Sequence, residues 1–195
     1  GVLVMFYYTP STQLAYRSMK DLEYAVSFGV VLRNVHRWSA HAMVFLVFAH
    51  MFKVFYRGAY RAPREFNWVI GVVLLLITLL LSYTGYLLPW DQTAYWASAV
   101  GINLNGTAPF LGPWLAQFLA GGPEIGTYTL AKFYAMHMLL IPGALIALIG
   151  VHIYLVTRLG VVSPPWSGEE AGHRRTFAVF YRDRRVGLGE RQFGM

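Results

Sequence analysis

Four histidines lie in two long apolar segments, and their spacing within each segment suits paired metal ligands. His36 and His50 are 14 residues apart, and His137 and His152 are 15 apart. At about 100° and 1.5 Å per residue, each interval returns to within roughly 40–60° of one helix face and separates the imidazoles by about 21–22 Å. Ionisable side chains are costly inside a bilayer, so they usually mark a function there.

Imidazole at these positions suits axial ligation of haem iron. If the two segments cross a membrane in the same direction, His36 lies level with His137, and His50 with His152. Zinc would require further ligands, and neither pair has a carboxylate or thiolate nearby in the sequence. One such histidine is usually an ordinary core residue, but four with matched spacing predict two bis-histidine haem sites between facing helices. We call His36 and His137 the outer pair, and His50 and His152 the inner pair.

The remaining two histidines lack this spacing. His41 is five residues from His36, roughly 140° around a helix, so we predict a packing or hydrogen-bonding role for it. His173 lies in a polar C-terminal segment, where we expect it to be solvated.

Glycines and cations near these positions are consistent with a flat, anionic cofactor. Gly71 and Gly85 are 14 residues apart, which suggests clearance for a macrocycle at two levels. Ordinary close packing of membrane helices through small residues is the alternative. Gly1 has the same expected role as these two glycines. Of the cations within five residues of a predicted ligand, Arg33, Lys53 and Lys132 lie at helix ends. Such side chains can reach haem propionates or simply anchor helix ends.

Composition places these residues in an all-α, polytopic membrane protein. Of the 195 residues, 56% are hydrophobic and 13% are charged, and the mean hydropathy is +0.45, which is too apolar for an ordinary soluble domain. Cysteine is absent, which excludes disulfides and thiolate sites within these residues. The net charge of +7 does not indicate a nucleic-acid partner. The basic residues lie between and after the apolar segments, as in the positive-inside pattern.

The apolar segments predict a four-helix transmembrane bundle with short surface helices. Three segments are long enough to cross a bilayer: residues 34–56, 67–88 and 133–157. Residues 1–9 are expected to be the outer end of a further, truncated helix. Shorter stretches predict surface helices within residues 11–30, with Ser11 as an N-cap, and within residues 89–131. Pro142 should kink the last span, and a local change of register there would absorb the extra residue of the 15-residue interval.

Domain organisation and orientation follow from the charges. We predict a transmembrane di-haem domain at residues 1–160 and a polar, basic tail on the inner side at residues 161–195. The connection between the first and second spans is rich in basic residues, as is the tail, whereas residues 89–131 contain no lysine or arginine. The first two therefore face the cytoplasm, and residues 89–131 face the opposite side. We expect an integral, multi-pass protein of the bacterial cytoplasmic (inner) membrane.

Three motifs resemble the N-terminal half of cytochrome b from the bc1 and b6f quinol-oxidising complexes. They are RNVHRWSAHAMVFLVFAHMFKVFYRGAY, TGYLLPWDQTAYWA, and the pair KFYAMH and GVHIYL around the last two ligands. The LPWDQ sequence and the 15-residue interval are most similar to the split, cytochrome b6-like form. The resemblance extends from Gly1 to about Gly160.

The resemblance implies a di-haem b-type cytochrome subunit of a quinol:cytochrome c or plastocyanin oxidoreductase. The outer pair would hold a low-potential haem b, and the inner pair a high-potential haem b. Quinol would be oxidised in an outer pocket beside Tyr86, Ala97 and Val100. One electron would pass to a Rieske iron–sulfur protein. The other would cross through the two haems to a quinone at the inner side, with proton translocation as the result.

The resemblance also bears on the residues that contact cofactors. Arg33, Lys53 and Lys132 align with positions that contact propionates, but Lys53 and Lys132 replace arginines and lose bidentate pairing. Thr157 and Arg158 fall near a polar position of the inner quinone site.

The resemblance implies partner subunits, because the chain lacks one segment of the family's quinol site. The Pro-Glu-Trp-Tyr segment of the family's quinol site is absent, and SPPWS at residues 163–167 is not that segment. We therefore expect it on a separate subunit, together with a c-type cytochrome subunit and a homodimeric complex. An extra covalent haem c stays undecided, because the cysteine that would hold it would precede Gly1.

Two other classes of protein remain open. A di-haem membrane anchor that links a quinone to a dehydrogenase or hydrogenase also places histidines on membrane helices. A channel or transporter could use the histidines as a proton relay. The Pro-Trp-Asp-Gln start of residues 89–131 and their apolar, aromatic composition favour a quinol pocket over the anchor. Absorption bands of b-type haem would exclude the channel.

Overall fold

The computed structural model describes residues 1–161, which form helices and turns with no β-strand in that range. The helices in chain order are α1 (Val2–Met5), α2 (Ala15–Tyr24), α3 (Gly29–Tyr56), α4 (Glu65–Leu87), α5 (Gln92–Gly106), α6 (Gly112–Ala120), α7 (Thr127–Ala135), a π-helical turn (Met136–Leu140) and α8 (Ile141–Leu159). The predicted tail, apart from Val161, lies outside the described residues, and so does His173.

Three helical segments are long and apolar enough to cross a membrane: Gly29–Tyr56, Glu65–Leu87 and Thr127–Leu159. They confirm the three predicted spans and the all-α membrane fold. All three begin earlier than the predicted residues 34, 67 and 133, because the helical backbone continues on the N-terminal side of each predicted window.

The surface helices form where amphipathic stretches were predicted. Helix α2 lies within residues 11–30, and α5 and α6 lie within residues 89–131. Asp91 caps α5, since its Oδ1 accepts a hydrogen bond from the Ala94 backbone N–H at 2.8 Å. Ser11 was predicted to cap α2. Its Oγ instead accepts from the Leu14 N–H at 3.2 Å, in the turn before the helix begins.

The last span contains the register change that was predicted at Pro142. The π-helical turn Met136–Leu140 immediately precedes α8 and carries His137. Proline has no backbone N–H, so a regular α-helical ladder cannot continue through Pro142. A π turn accommodates one residue more than an α turn, which supplies the extra residue of the 15-residue interval.

The described residues divide into two compact units. The first consists of Gly1–Phe45 and Leu76–Leu145. Its core has two clusters of buried side chains: Tyr8, Ala15 and Leu130, and Leu87, Ile102 and Phe133. The Tyr8 hydroxyl donates to the Leu88 carbonyl oxygen at 2.6 Å.

The second unit consists of Leu46–Leu75 and the described chain from Ile146 onward. Arg64, just before α4, donates to two carbonyl oxygens at the end of α8, Gly160 at 3.1 Å and Leu159 at 3.3 Å. A guanidinium at a helix C-terminus satisfies carbonyls that have no partner within the helix. The connection between α3 and α4 is thereby fastened to the end of α8.

Candidate functional site

Each of the two predicted histidine pairs comes together within one unit. His36 of α3 and His137 of the π turn have ring centres 6.2 Å apart and planes at 90°. His50 of α3 and His152 of α8 have ring centres 6.3 Å apart and planes at 80°. The structure therefore presents two opposed imidazole pairs of nearly equal geometry.

These distances fit one metal ion between the two rings of each pair. An imidazole nitrogen lies about 2.0–2.1 Å from a bound metal and roughly 1.1 Å from its own ring centre, so two opposed ligands have ring centres about 6.3 Å apart. Within residues 1–161, no group of three or more His, Asp or Glu side chains could hold a metal. Two axial imidazoles suit an iron whose other ligands belong to a porphyrin. The geometry does not suit a structural zinc site, which takes four protein ligands.

His137 is oriented by hydrogen bonds on the far side of its ring. Its Nδ1 lies 3.0 Å from the Leu81 carbonyl oxygen and 3.2 Å from Thr84 Oγ1. The fully buried Thr84 hydroxyl can donate to the Leu80 and Leu81 carbonyls at 3.0 and 3.1 Å. A proton on Nδ1 directed at Leu81 leaves Nε2 as the lone-pair nitrogen that binds a metal. We did not predict Thr84. The sequence feature that could have revealed Thr84 is a polar residue next to Gly85 in an apolar span.

The three glycines that were predicted to make room for a cofactor lie against the histidine rings. A Cβ at Gly85 would lie 2.5 Å from His137 Cε1 and 3.1 Å from both ring nitrogens. A Cβ at Gly71 would lie 3.7 Å from His152 Cε1, and one at Gly1 would lie 3.7 Å from His36 Cε1. Gly85 therefore makes room for the imidazole itself, whereas clearance for a macrocycle at Gly71 and Gly85 stays a prediction.

Both histidine pairs open into cavities. The outer cavity combines the outer pair and the two glycines beside it with a mostly apolar lining that includes Met5, Tyr8, Leu88, Tyr134 and Met138. The inner cavity combines the inner pair and Gly71 with a more polar lining: Lys53, Arg57, Arg64, Asn67 and Trp68. Of these polar residues, only Lys53 was predicted to contact the cofactor. Arg57 and Arg64 belong to the basic connection between the first two spans, from which the membrane orientation was predicted.

The other predicted propionate contacts have protein partners. Arg33 forms an ion pair with Glu23, with Nη1 and Oε2 2.6 Å apart. The Lys132 ammonium donates to the Phe118 carbonyl and lies 4.6 Å from the centre of the Phe118 ring. Neither Arg33 nor Lys132 lines the outer cavity, so their contact with a propionate stays a prediction that requires these side chains to turn.

The residues predicted for the two quinone pockets lie on or near the surface of the chain. Tyr86 of α4 and Val100 of α5 are exposed, and the Ala97 carbonyl accepts a 2.9 Å hydrogen bond from the Tyr83 hydroxyl. Tyr83, which we did not predict, thus fastens α4 to α5 beside the predicted outer pocket. At the other predicted site, the Arg158 guanidinium lies 5.2 Å from the Tyr154 ring centre.

His41 takes the hydrogen-bonding role that its spacing predicts. Its Nδ1 lies 2.7 Å from the Arg37 carbonyl oxygen, one helical turn earlier, and its side chain is exposed. Its ring also lies beside that of Trp38, with centres 5.7 Å apart. No other histidine of residues 1–161 lies opposite it, unlike the four predicted ligands.

Comparison with known proteins identifies the family. The family model described as Cytochrome b(N-terminal)/b6/petB matches residues 41–185. The chain belongs to the cytochrome b N-terminal/b6 family. A menaquinol:cytochrome c reductase cytochrome b subunit from Geobacillus thermodenitrificans is 39% identical over 165 residues, which cover 84% of this chain and 74% of that protein. A cytochrome b6 from Heliomicrobium gestii is 39% identical over 164 residues, which cover 84% of this chain and 77% of that protein.

A solved structure of this type shares the fold. A chain of a hyperthermophilic respiratory Complex III matches with a TM-score of 0.78 and 26% sequence identity. The match covers 96% of this cytochrome b family chain and 52% of the other, so our chain spans about half the length of that one.

Proposed function

We propose that this chain is the di-haem b-type cytochrome subunit of a bc1/b6f-type quinol:cytochrome c or plastocyanin oxidoreductase. It receives electrons from quinol oxidised at the outer side and delivers them to a quinone at the inner side, coupled to proton translocation. The observation that carries this proposal is the presence of two opposed histidine pairs in a member of the cytochrome b family. The ring centres are 6.2 Å apart in the outer pair and 6.3 Å apart in the inner pair.

The chain's own residues would hold and shield two haem b groups. Bound haem supplies a one-electron carrier whose potential depends on its axial ligands and surroundings. His36 and His137 would bind the outer iron and His50 and His152 the inner one, each through a neutral ring nitrogen. The apolar side chains around the outer pair exclude water, while the cations around the inner pair favour anionic groups such as carboxylates.

Quinone binding is proposed at two places. Tyr86, Ala97 and Val100 would form part of the outer quinol pocket, where the exposed Tyr86 and Val100 leave room for a partner subunit to complete it. Arg158 would serve the inner quinone, and Lys53 would contact a propionate of the inner haem. Arg33 and Lys132 would reach the propionates of the outer haem.

The complete complex requires other chains. We propose a Rieske iron–sulfur protein as one electron acceptor, a c-type cytochrome subunit, a subunit that carries the Pro-Glu-Trp-Tyr segment, and a homodimeric assembly in the bacterial cytoplasmic membrane. The basic tail at residues 161–195 would lie on the inner side. Relatives named cytochrome b6 and menaquinol:cytochrome c reductase cytochrome b subunit support this type of complex.

Quinol-driven reduction in the purified complex tests this function. We expect a quinol to reduce both b-type haems, and cytochrome c to be reduced in parallel when the whole complex is present. Val100→Trp should slow the reduction by quinol at least tenfold while both haems remain, because the bulky ring would occupy the proposed outer pocket. His41→Gln, away from the pocket, is the matched control. A complex with both haems that passes electrons only to or from a dehydrogenase or hydrogenase would contradict the proposal.

A further inference from the structure

Two buried polar atoms in the inner cavity have no hydrogen-bond partner. Among buried side-chain nitrogen and oxygen atoms of residues 1–161, these are Asn67 Oδ1 and His152 Nδ1. Both residues line the inner cavity, and Asn67 is only 8% exposed. An unsatisfied buried polar group costs roughly 1–3 kcal/mol, so two in one cavity require an explanation.

The two atoms are chemically complementary. When Nε2 of His152 binds a metal, the proton of the neutral ring is on Nδ1, which is then a donor. The amide oxygen of Asn67 is an acceptor. A small rotation of the amide or one bridging water would satisfy both atoms, and a cavity of about 210 Å³ has room for that water.

The other side chains that line the cavity are poor acceptors for a hydrogen bond from His152 Nδ1. Lys53, Arg57 and Arg64 have only donors. His50 is the opposed ligand, and a methionine sulfur is a weak acceptor. The backbone of Asn67 lies close to the His152 ring, but it does not reach Nδ1 with hydrogen-bond geometry, so Nδ1 is left unsatisfied. The Asn67 amide is therefore the strong side-chain acceptor that remains among the described lining residues.

The sequence places Asn67 to face this ring. Asn67 and Gly71 are four residues apart in α4, so their side-chain positions share one helix face. Gly71 lies directly against His152, with 3.7 Å between a built Cβ and Cε1. The same face of α4 thus offers open space at the ring and, one turn earlier, a polar group. In the outer pair, the Leu81 carbonyl and Thr84 take the corresponding position beside His137 Nδ1.

We propose that Asn67 is the positioning residue of the inner pair. Its Oδ1 accepts a hydrogen bond from His152 Nδ1–H, directly or through one water, which fixes the tautomer and the orientation of the ring. The inference rests on the proposed haem function. Such a hydrogen bond makes the imidazole a more basic ligand, which stabilises ferric over ferrous iron and lowers the reduction potential of the inner haem.

Two variants of nearly the same shape test this role. Asn67→Leu removes the acceptor, and Asn67→Asp keeps an oxygen at the Oδ1 position. In a redox titration of the purified complex, we expect Asn67→Leu to lower the ferric-to-ferrous ratio of the inner haem at a given potential by about tenfold. This corresponds to a rise of about 59 mV in the reduction potential for one electron. Asn67→Asp should leave the potential unchanged or lower it. The outer haem, titrated in the same sample, should not shift in either variant.

The outcomes separate this inference from the proposed function. Equal upward shifts in both variants, or an unshifted inner haem in Asn67→Leu, would overturn the role of Asn67 while leaving the haem function intact. If Asn67→Leu loses the inner haem, retention by Asn67→Asp supports the acceptor, and loss in both variants contradicts it. A wild-type complex without two b-type haems would instead contradict the proposed function itself.

Discussion

Replacing His50 with alanine is expected to remove the inner haem and leave the outer one in place. His50 and His152 are the two opposed rings of the inner pair, and a haem b in this cavity would depend on both imidazoles for its bonds to the iron. The isolated variant should therefore retain roughly half of the b-type absorbance, with a single remaining redox transition. A reduced-minus-oxidised spectrum combined with a redox titration measures both quantities.

The reciprocal variant and a matched control make this result specific. His137→Ala should remove the outer haem and keep the inner one, because its partner is His36. His41→Ala, on the same helix α3 as His50, should keep both haems, since His41 is exposed and lies beside the Arg37 carbonyl rather than opposite another imidazole among residues 1–161. Retention of both haems in His50→Ala, or loss of the same haem in His50→Ala and His137→Ala, would refute the pairing.

Gly85→Ala is expected to weaken the outer haem strongly. The added Cβ would lie 2.5 Å from His137 Cε1, so either the imidazole or the helix backbone must shift. Overpacking of this kind costs about 1–3 kcal/mol, and the ring cannot turn without breaking its hydrogen bond to Leu81. We expect the outer haem to fall to a small fraction of its normal occupancy, measured by the haem content per chain after purification.

Alanine at two other glycines serves as the comparison. Gly150→Ala, in α8, should have no effect, because its built Cβ has no described atom within 4 Å apart from its chain neighbours and its own helix backbone. Gly71→Ala distinguishes two reasons for the glycine pair. Its Cβ would make only an ordinary 3.7 Å contact with His152, so loss of the inner haem would indicate clearance for the macrocycle, and retention would indicate clearance for the ring alone. Full outer-haem occupancy in Gly85→Ala would show that Gly85 is needed neither for clearance of the macrocycle nor for clearance of the imidazole ring.

Spacing along the chain was sufficient to predict the two opposed histidine pairs and the spans. The intervals of His36 to His50 and of His137 to His152 depend only on helical geometry. The apolar segments likewise reveal their helices by length and composition. The register change at Pro142 was predictable for the same reason, since the missing N–H of proline acts within its own helix.

Contacts between distant segments could not be predicted in this way. Glu23 pairs with Arg33 because α2 folds back on the start of α3, and Thr84 meets His137 only once two helices pack together. Asn67 was missed because its partner lies on another helix. A polar residue at the start of an apolar span looks like an interfacial anchor until the unsatisfied atom of His152 is found in the same cavity.

The haem content of the purified wild-type chain tests the central claim most directly. Extraction into alkaline pyridine, with an independent measure of protein, gives the number of non-covalently bound haem b groups per chain. Two opposed imidazole pairs predict two haem b groups. A value of one, or a colourless protein, would contradict the account.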